Sequence, residues 1–165
     1  MRRTLLFLEQ GLSRLSLIIG GAALIMMVSL IFVEVVSRYI FSHSLGVADE
    51  FGAYLLVALS FMGLAYVIKK DAHIKVQVIT SRLPSRASDW LRMITLLVFL
   101  LFAVISTVLA YDFVVYNYVR DVRSFLTMRT PQWMPMAAMA VGFAMLSLSL
   151  MLRLVLTGME KIRAR

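Results

Sequence analysis

Four apolar runs, separated by short polar intervals, organise the chain. A helix rises 1.5 Å per residue, so about 20 consecutive apolar residues cover a hydrocarbon core about 30 Å thick. The runs predict membrane spans over 16–40, 49–69, 91–115 and 136–157, an all-α integral membrane protein with four transmembrane helices in a single membrane domain, 1–165. Ahead of the first span, Arg2, Arg3, Glu9 and Arg14 lie among leucines, which predicts a short interfacial lead-in over 1–15. Between spans two and three, Val76, Ile79 and Leu83 recur at helical spacing while Lys75, Gln77, Thr80 and Arg82 fall elsewhere on the wheel. This predicts a short interfacial amphipathic helix, although the alternation over 74–78 would also suit a strand. Pro84 ends that element, Ser85 or Ser88 caps the next, and Trp90 is placed as an interfacial anchor. A helix over 88–119 would be about 48 Å long, so it must tilt, bend or protrude. Pro135 falls where a first helical turn tolerates it.

Small residues fall within the first two runs: Gly20, Gly21, Ala22, Ala23 and Ser29 in one, Gly52, Ala53, Ser60 and Gly63 in the other. In lipid, where no hydrophobic force drives helices together, such residues let backbones approach and mark helix contacts.

A hydrophobic share of 61% and a mean hydropathy of +0.88 exclude an ordinary soluble domain. A net charge of +8 would point to nucleic acid in a soluble protein, but here the basic residues flank the spans, and no nucleic-acid partner is expected. Thirteen of them fall on the side of the two termini and of the connection between spans two and three, against four on the other. The positive-inside rule then places both termini in the cytoplasm. The chain has no cysteine and two histidines, too few for a cysteine-ligated metal or most haem sites, so no metal and no cofactor are expected in it. Met1-Arg2-Arg3 resembles the start of a signal peptide, yet the apolar run is too long and no A-x-A-like site follows, so it reads as a retained helix.

Charges inside apolar runs are the candidate functional residues, because an isolated charge at membrane depth costs several kcal/mol. Glu34 and Arg38 lie four residues apart, on one helical face, where each neutralises the other. They read as a packing or subunit-interface pair rather than an ion relay. Asp49 and Glu50 complement the positive end of the second helix rather than serving catalysis. His73, among Lys70, Asp71 and Lys75, reads as a capping or interface residue rather than a pH sensor. Arg120, Arg123 and Arg129, with Trp133, are either solvated loop residues or a contact for an acidic binding protein or an anionic solute on the outer side. No nucleophile or cofactor motif supports an enzyme. A small self-sufficient four-helix exporter, with Glu34 alternating between proton and cationic cargo, is the rival class, and Arg38 one turn away argues against it.

Arg38-Tyr39-Ile40-Phe41, then Asp49-Glu50, Gly63, the exit over 69–73 with Ile74-Lys75-Val76, and finally Pro131-Gln132-Trp133-Met134-Pro135 with Gly142 occur in an order that resembles the small membrane subunit of tripartite ATP-independent periplasmic (TRAP) transporters, the DctQ-like family. The sequence departs from that pattern at the start of the second helix, where the family often has a tryptophan and two glutamates and this chain reads Val47-Ala48-Asp49-Glu50, and at Gln77, where an aspartate is common. The resemblance implies a bacterial inner-membrane complex. In it a larger multi-helix subunit carries substrate and sodium ions, and a periplasmic binding protein delivers an organic acid of the dicarboxylate or sialic-acid class. The small subunit is then a fixed scaffold, seated in lipid beside a moving transport domain, and Glu34, Arg38, Asp49, Glu50, Gly63 and His73 are its expected structural and interface residues.

Overall fold

The structure, a computed structural model, describes residues 2–44, 46–71, 85–126 and 128–163. Among these it contains four helices: α1 (Arg2–Phe41), α2 (Ala48–Asp71), α3 (Ser85–Val119) and α4 (Trp133–Arg163). Three of them hold stretches long and apolar enough to cross a membrane, Leu6–Phe41, Met93–Val119 and Trp133–Gly158. The expected amphipathic helix over 73–84, and His73 with it, lies outside the described residues. The expected lead-in over 1–15 is not a separate piece: α1 runs unbroken from Arg2, and the reason is a buried ion pair. Glu9 accepts a hydrogen bond from Arg153 Nε of α4 at 3.0 Å, with both side chains nearly buried, so the first turns of α1 belong to the bundle.

The helices alternate in direction. α2 lies between α1 and α4, α3 packs chiefly on α4, and α1 also meets α4. One third of the apolar window of α4 is buried, 33%, against 17% for α1 and 11% for α3, which makes α4 the central helix. The core is small: Met62 with Met145, and Ala103 with Leu146 and Leu150, are its two buried clusters. Long rows of α1 and α3, among them Ile25, Phe32, Val98, Leu101 and Leu109, stay exposed, as a helix surface in lipid does.

On α1 the buried seam is Glu9, Ser13, Ser16, Gly20 and Ala23, spaced by four and three. Gly20 lies against the Gly63 backbone of α2, and the Ser16 hydroxyl donates to the Met62 carbonyl. The expected small-residue face is therefore used in part: Ala22 and Ser29 are exposed, and nothing lies within 4 Å of where a Gly21 Cβ would project.

α4 crosses α2 closely at Gly142. A Cβ on Gly142 would sit 2.6 Å from the carbonyl carbon and oxygen of Phe61, whereas one on Gly63 would meet nothing within 4 Å. Gly142→Ala must push α2 away from α4 and should destabilise the chain in detergent by about 1–3 kcal/mol, while Gly63→Ala stays close to wild type. Thermal unfolding of the two variants side by side checks this, and equal melting temperatures would contradict the assigned crossing.

Candidate functional site

Of the residues expected from sequence, Glu34, Arg38, Asp49, Glu50, the three loop arginines and Trp133 gather at the end of the bundle where α1 turns into α2 and α3 into α4, whereas Gly63 lies further along α2, against Gly20. α1 ends at Phe41, Ser42 takes a left-handed conformation (φ 52°), and Gly46 another (φ 65°) before α2 begins. The Ser37 hydroxyl donates to the His43 carbonyl at 3.1 Å, closing the turn. One turn deeper, the buried Glu34 carboxylate takes a hydrogen bond from Arg38 Nη2 at 3.2 Å and from the Ser44 hydroxyl at 2.6 Å. Arg38 also reaches Ser44, at 3.2 Å, and its own side chain remains mostly in the open. The charge pair thus becomes a triad that includes the turn. Beside it a groove of about 690 Å³ runs between α1 and α2, lined by Met27, Ile31, Glu34, Arg38, Asp49 and Gly52 among others.

Asp49 and Glu50 share the first turn of α2 but face opposite environments: Asp49 is exposed on that groove, whereas Glu50 is wholly buried. Its carboxylate is satisfied by a segment some 80 residues away in sequence. Oε2 accepts the Met128 N–H at 3.1 Å, and Oε1 accepts the Thr130 N–H at 3.1 Å, the Thr130 hydroxyl and the Tyr54 hydroxyl at 3.0 Å. The Tyr54 and Thr130 hydroxyls also touch each other at 2.7 Å. Sequence reasoning gave Glu50 to the helix dipole; the structure gives it, in addition, the whole α3–α4 connection.

That connection is built to present its N–H groups inward. α3 stops at a left-handed Asp121 (φ 44°), with the Val122 N–H returning to the Asn117 carbonyl at 3.1 Å and the Asp121 N–H to that of Tyr118 at 3.3 Å, the paired bonds of a Schellman ending. The chain then folds back on itself. Ser124 N–H meets Thr130 O and Gln132 N–H meets Val122 O, both at 2.9 Å, around an antiparallel bridge between Arg123 and Pro131. A left-handed Arg129 (φ 47°) turns the Met128 and Thr130 amides toward Glu50. The arginines are engaged separately: Arg120 stacks over the Tyr116 ring at 4.4 Å, Arg123 pairs with Asp121 at 3.0 Å, and Arg129 is exposed at the corner. Trp133 meets Tyr118 edge to face, 5.8 Å between centroids, which levels the end of α3 with the start of α4. Phe125 at the tip is fully exposed.

Two charged positions that matter structurally escape a reading based on paired charges. Arg153, the partner of Glu9, is a lone cation in the run Met151-Leu152-Arg153-Leu154-Val155, and Asp112 is a lone acid in the run from Leu109 to Val119. The signal for both is the one that singles out Glu34, a charge within an apolar run. Among the described residues no three of the histidines, aspartates and glutamates come together as metal ligands.

The site thus consists of buried carboxylates held by donors of this same chain, an open groove between α1 and α2, and a loop that closes on Glu50. The family model for tripartite ATP-independent periplasmic transporters, DctQ component, matches residues 27–157, which takes in the triad, the Glu50 clamp and most of α4. The chain belongs to the DctQ family. Two Haemophilus influenzae proteins that carry the name TRAP transporter small permease protein are similar to this DctQ chain, each 32% identical, over 72 and 80 residues. These matches cover 44% and 48% of the chain and 45% and 46% of the relatives, so it spans just under half the length of each. The family is one of transporter permease subunits rather than of enzymes, and the apolar helices make this member a multi-pass membrane protein.

The clamp yields a direct test. Glu50→Ala leaves two amides and two hydroxyls at this junction without their charged acceptor, and bonds to a charged group contribute about 1.5–3 kcal/mol each. The loop should detach, and chymotrypsin should cut at Phe125 roughly tenfold faster or more, a loss of at least about 1.4 kcal/mol in local closure. Unchanged cleavage in a folded variant would show that Glu50 does not hold the loop.

Proposed function

We propose that this DctQ chain is the accessory scaffold subunit of a sodium-coupled TRAP secondary transporter in a bacterial inner membrane. In this reading a larger multi-helix subunit carries the solute and the sodium ions. A periplasmic binding protein delivers the solute, an organic acid of the dicarboxylate or sialic-acid class, and Arg120, Arg123, Arg129 and Trp133 are candidate contacts for it. Both termini face the cytoplasm, as the distribution of basic residues favours. α2 is then the fourth span: it runs back along α1 after a connection too short to lie across a membrane.

The observation that carries the scaffold role is that Glu9, Glu34 and Glu50 are each engaged by donors of this same chain. An acid that couples transport must exchange partners during the cycle, whereas an acid with several internal donors resists that exchange. The same observation disfavours a self-sufficient exporter working through Glu34, whose carboxylate already holds Arg38 and Ser44.

The test is recovery of the tagged chain from native membranes in mild detergent, with mass spectrometry of what accompanies it and uptake assays on deletion strains. A many-helix partner in stoichiometric amount, and loss of uptake when either subunit is deleted, are expected. Glu34→Gln and Arg38→Leu should lower recovery of the partner and leave solute preference unchanged. Transport by the purified chain alone in liposomes, or altered selectivity in a fully assembled variant complex, would overturn the reading.

A further inference from the structure

α3 has two faces with different chemistry. Ala103, Ala110 and Asn117, seven residues apart, are buried on the side that packs against α4. On the opposite side Ile105, Val108, Leu109, Asp112, Tyr116 and Val119 follow one another at helical spacing, and all are exposed. An acid therefore stands in the middle of an otherwise apolar and aromatic face.

Its depth follows from its neighbours. The Tyr118–Trp133 ring contact sets the end of α3 level with the start of α4. From Trp133 down to Arg153 is about 30 Å of helix, one hydrocarbon thickness. Asp112 lies seven residues below Val119, hence about 10 Å inside that boundary. An aspartate side chain is too short to snorkel over such a distance, unlike lysine or arginine.

Within α3 other polar side chains are satisfied by their own helix: the Thr95, Thr107 and Asn117 donors return to carbonyls four residues back, at 2.8, 2.7 and 2.7 Å. A carboxylate accepts only, and helix carbonyls cannot serve it. Among the described residues Asp112 has no hydrogen-bond or ion-pair partner, in contrast to Glu9, Glu34 and Glu50. A charge at this depth demands a donor, none of the described residues supplies one, and the exposed face of Asp112 is open to a second chain.

We infer that the Asp112 face of α3 is the surface on which this chain receives its larger membrane subunit, with Asp112 accepting from a lysine, an arginine or a hydroxyl- or amide-bearing side chain on a spanning helix of that subunit. This rests on the scaffold reading above and assigns it a surface. The partner helix lies along Ile105, Leu109 and Tyr116, and its donor is set about two helical turns below the outer boundary. Charge complementarity fixes the register, as a single buried polar pair does between packed helices.

The chain has no cysteine, so single cysteines can be placed without background. Leu109→Cys and Ile105→Cys, labelled with a benzophenone maleimide in native membranes and illuminated, should crosslink to the large subunit, and Ile25→Cys on α1 should not. In parallel, Asp112→Arg should reduce co-purified large subunit roughly tenfold or more, since it sets a cation against the donor, while Asp112→Asn retains part of it. Membrane abundance and elution volume of the variant alone report that it is folded. If the wild-type chain brings down no many-helix partner, the scaffold reading fails. If it does so, but Asp112→Arg brings down as much and neither cysteine on α3 crosslinks to that partner, the scaffold reading stands and the Asp112 surface is wrong. Crosslinking of Leu109→Cys to a second copy of this chain, or to lipid alone, would also overturn the assignment.

Discussion

A carboxylate withdrawn from water must find donors, and the end of this molecule where α3 turns into α4 is arranged around that demand at Glu50. Its partners are main-chain amides and hydroxyls from the connection between α3 and α4, with Tyr54 of its own helix. The left-handed turns at Asp121 and Arg129 and the short antiparallel bridge make sense in that light, because they aim the Met128 and Thr130 amides at one point. Without the acid, the loop would keep its turn chemistry and lose the reason to lie across α2.

The same rule recurs at two other heights of the bundle. Glu34 ties α1 to the turn that follows it through Arg38 and Ser44, and Glu9 ties α1 to α4 through Arg153. Close backbone approach at Gly142 against Phe61, and at Gly20 against Gly63, fixes the helices between these points. Hydrogen-bonded acids at both ends and small residues between them favour one fixed arrangement over two alternating ones, because breaking either kind of contact in lipid leaves a polar group or a void without compensation. The apolar rows of α1 and α3 face outward, toward lipid and toward whatever chain completes Asp112.

How much of this was legible in the sequence depends on the range of the interaction. Hydropathy pointed to helices but not to their limits: the stretches over 16–40, 91–115 and 136–157 lie inside the longer α1, α3 and α4, and Pro135 stands in the first turn of α4. The Glu34–Arg38 pair was legible because four residues bring two side chains together on any helix. Glu50 was visible as an acid at a helix start, but its main-chain donors lie about 80 residues on, and local periodicity carries no information about them. Glycines showed where close packing could occur, not which of them a neighbour occupies. Gly20 and Gly142 meet α2, while Gly21 and Gly52 meet nothing. The lead-in over 1–15 was set apart from the first span because its charges were counted without the cation on α4 that receives one of them.

Rigidity is the property on which the scaffold reading turns, and double electron–electron resonance measures it most directly. Spin labels at Phe125→Cys on the clamped loop and Tyr39→Cys at the end of α1, both exposed positions in a cysteine-free chain, report the distance across this end of the bundle in native membranes. A single narrow distance that is unchanged by sodium and by substrate-loaded binding protein is the result expected of a fixed scaffold. A second distance that grows as substrate is added would contradict it, and would place this chain among the moving parts.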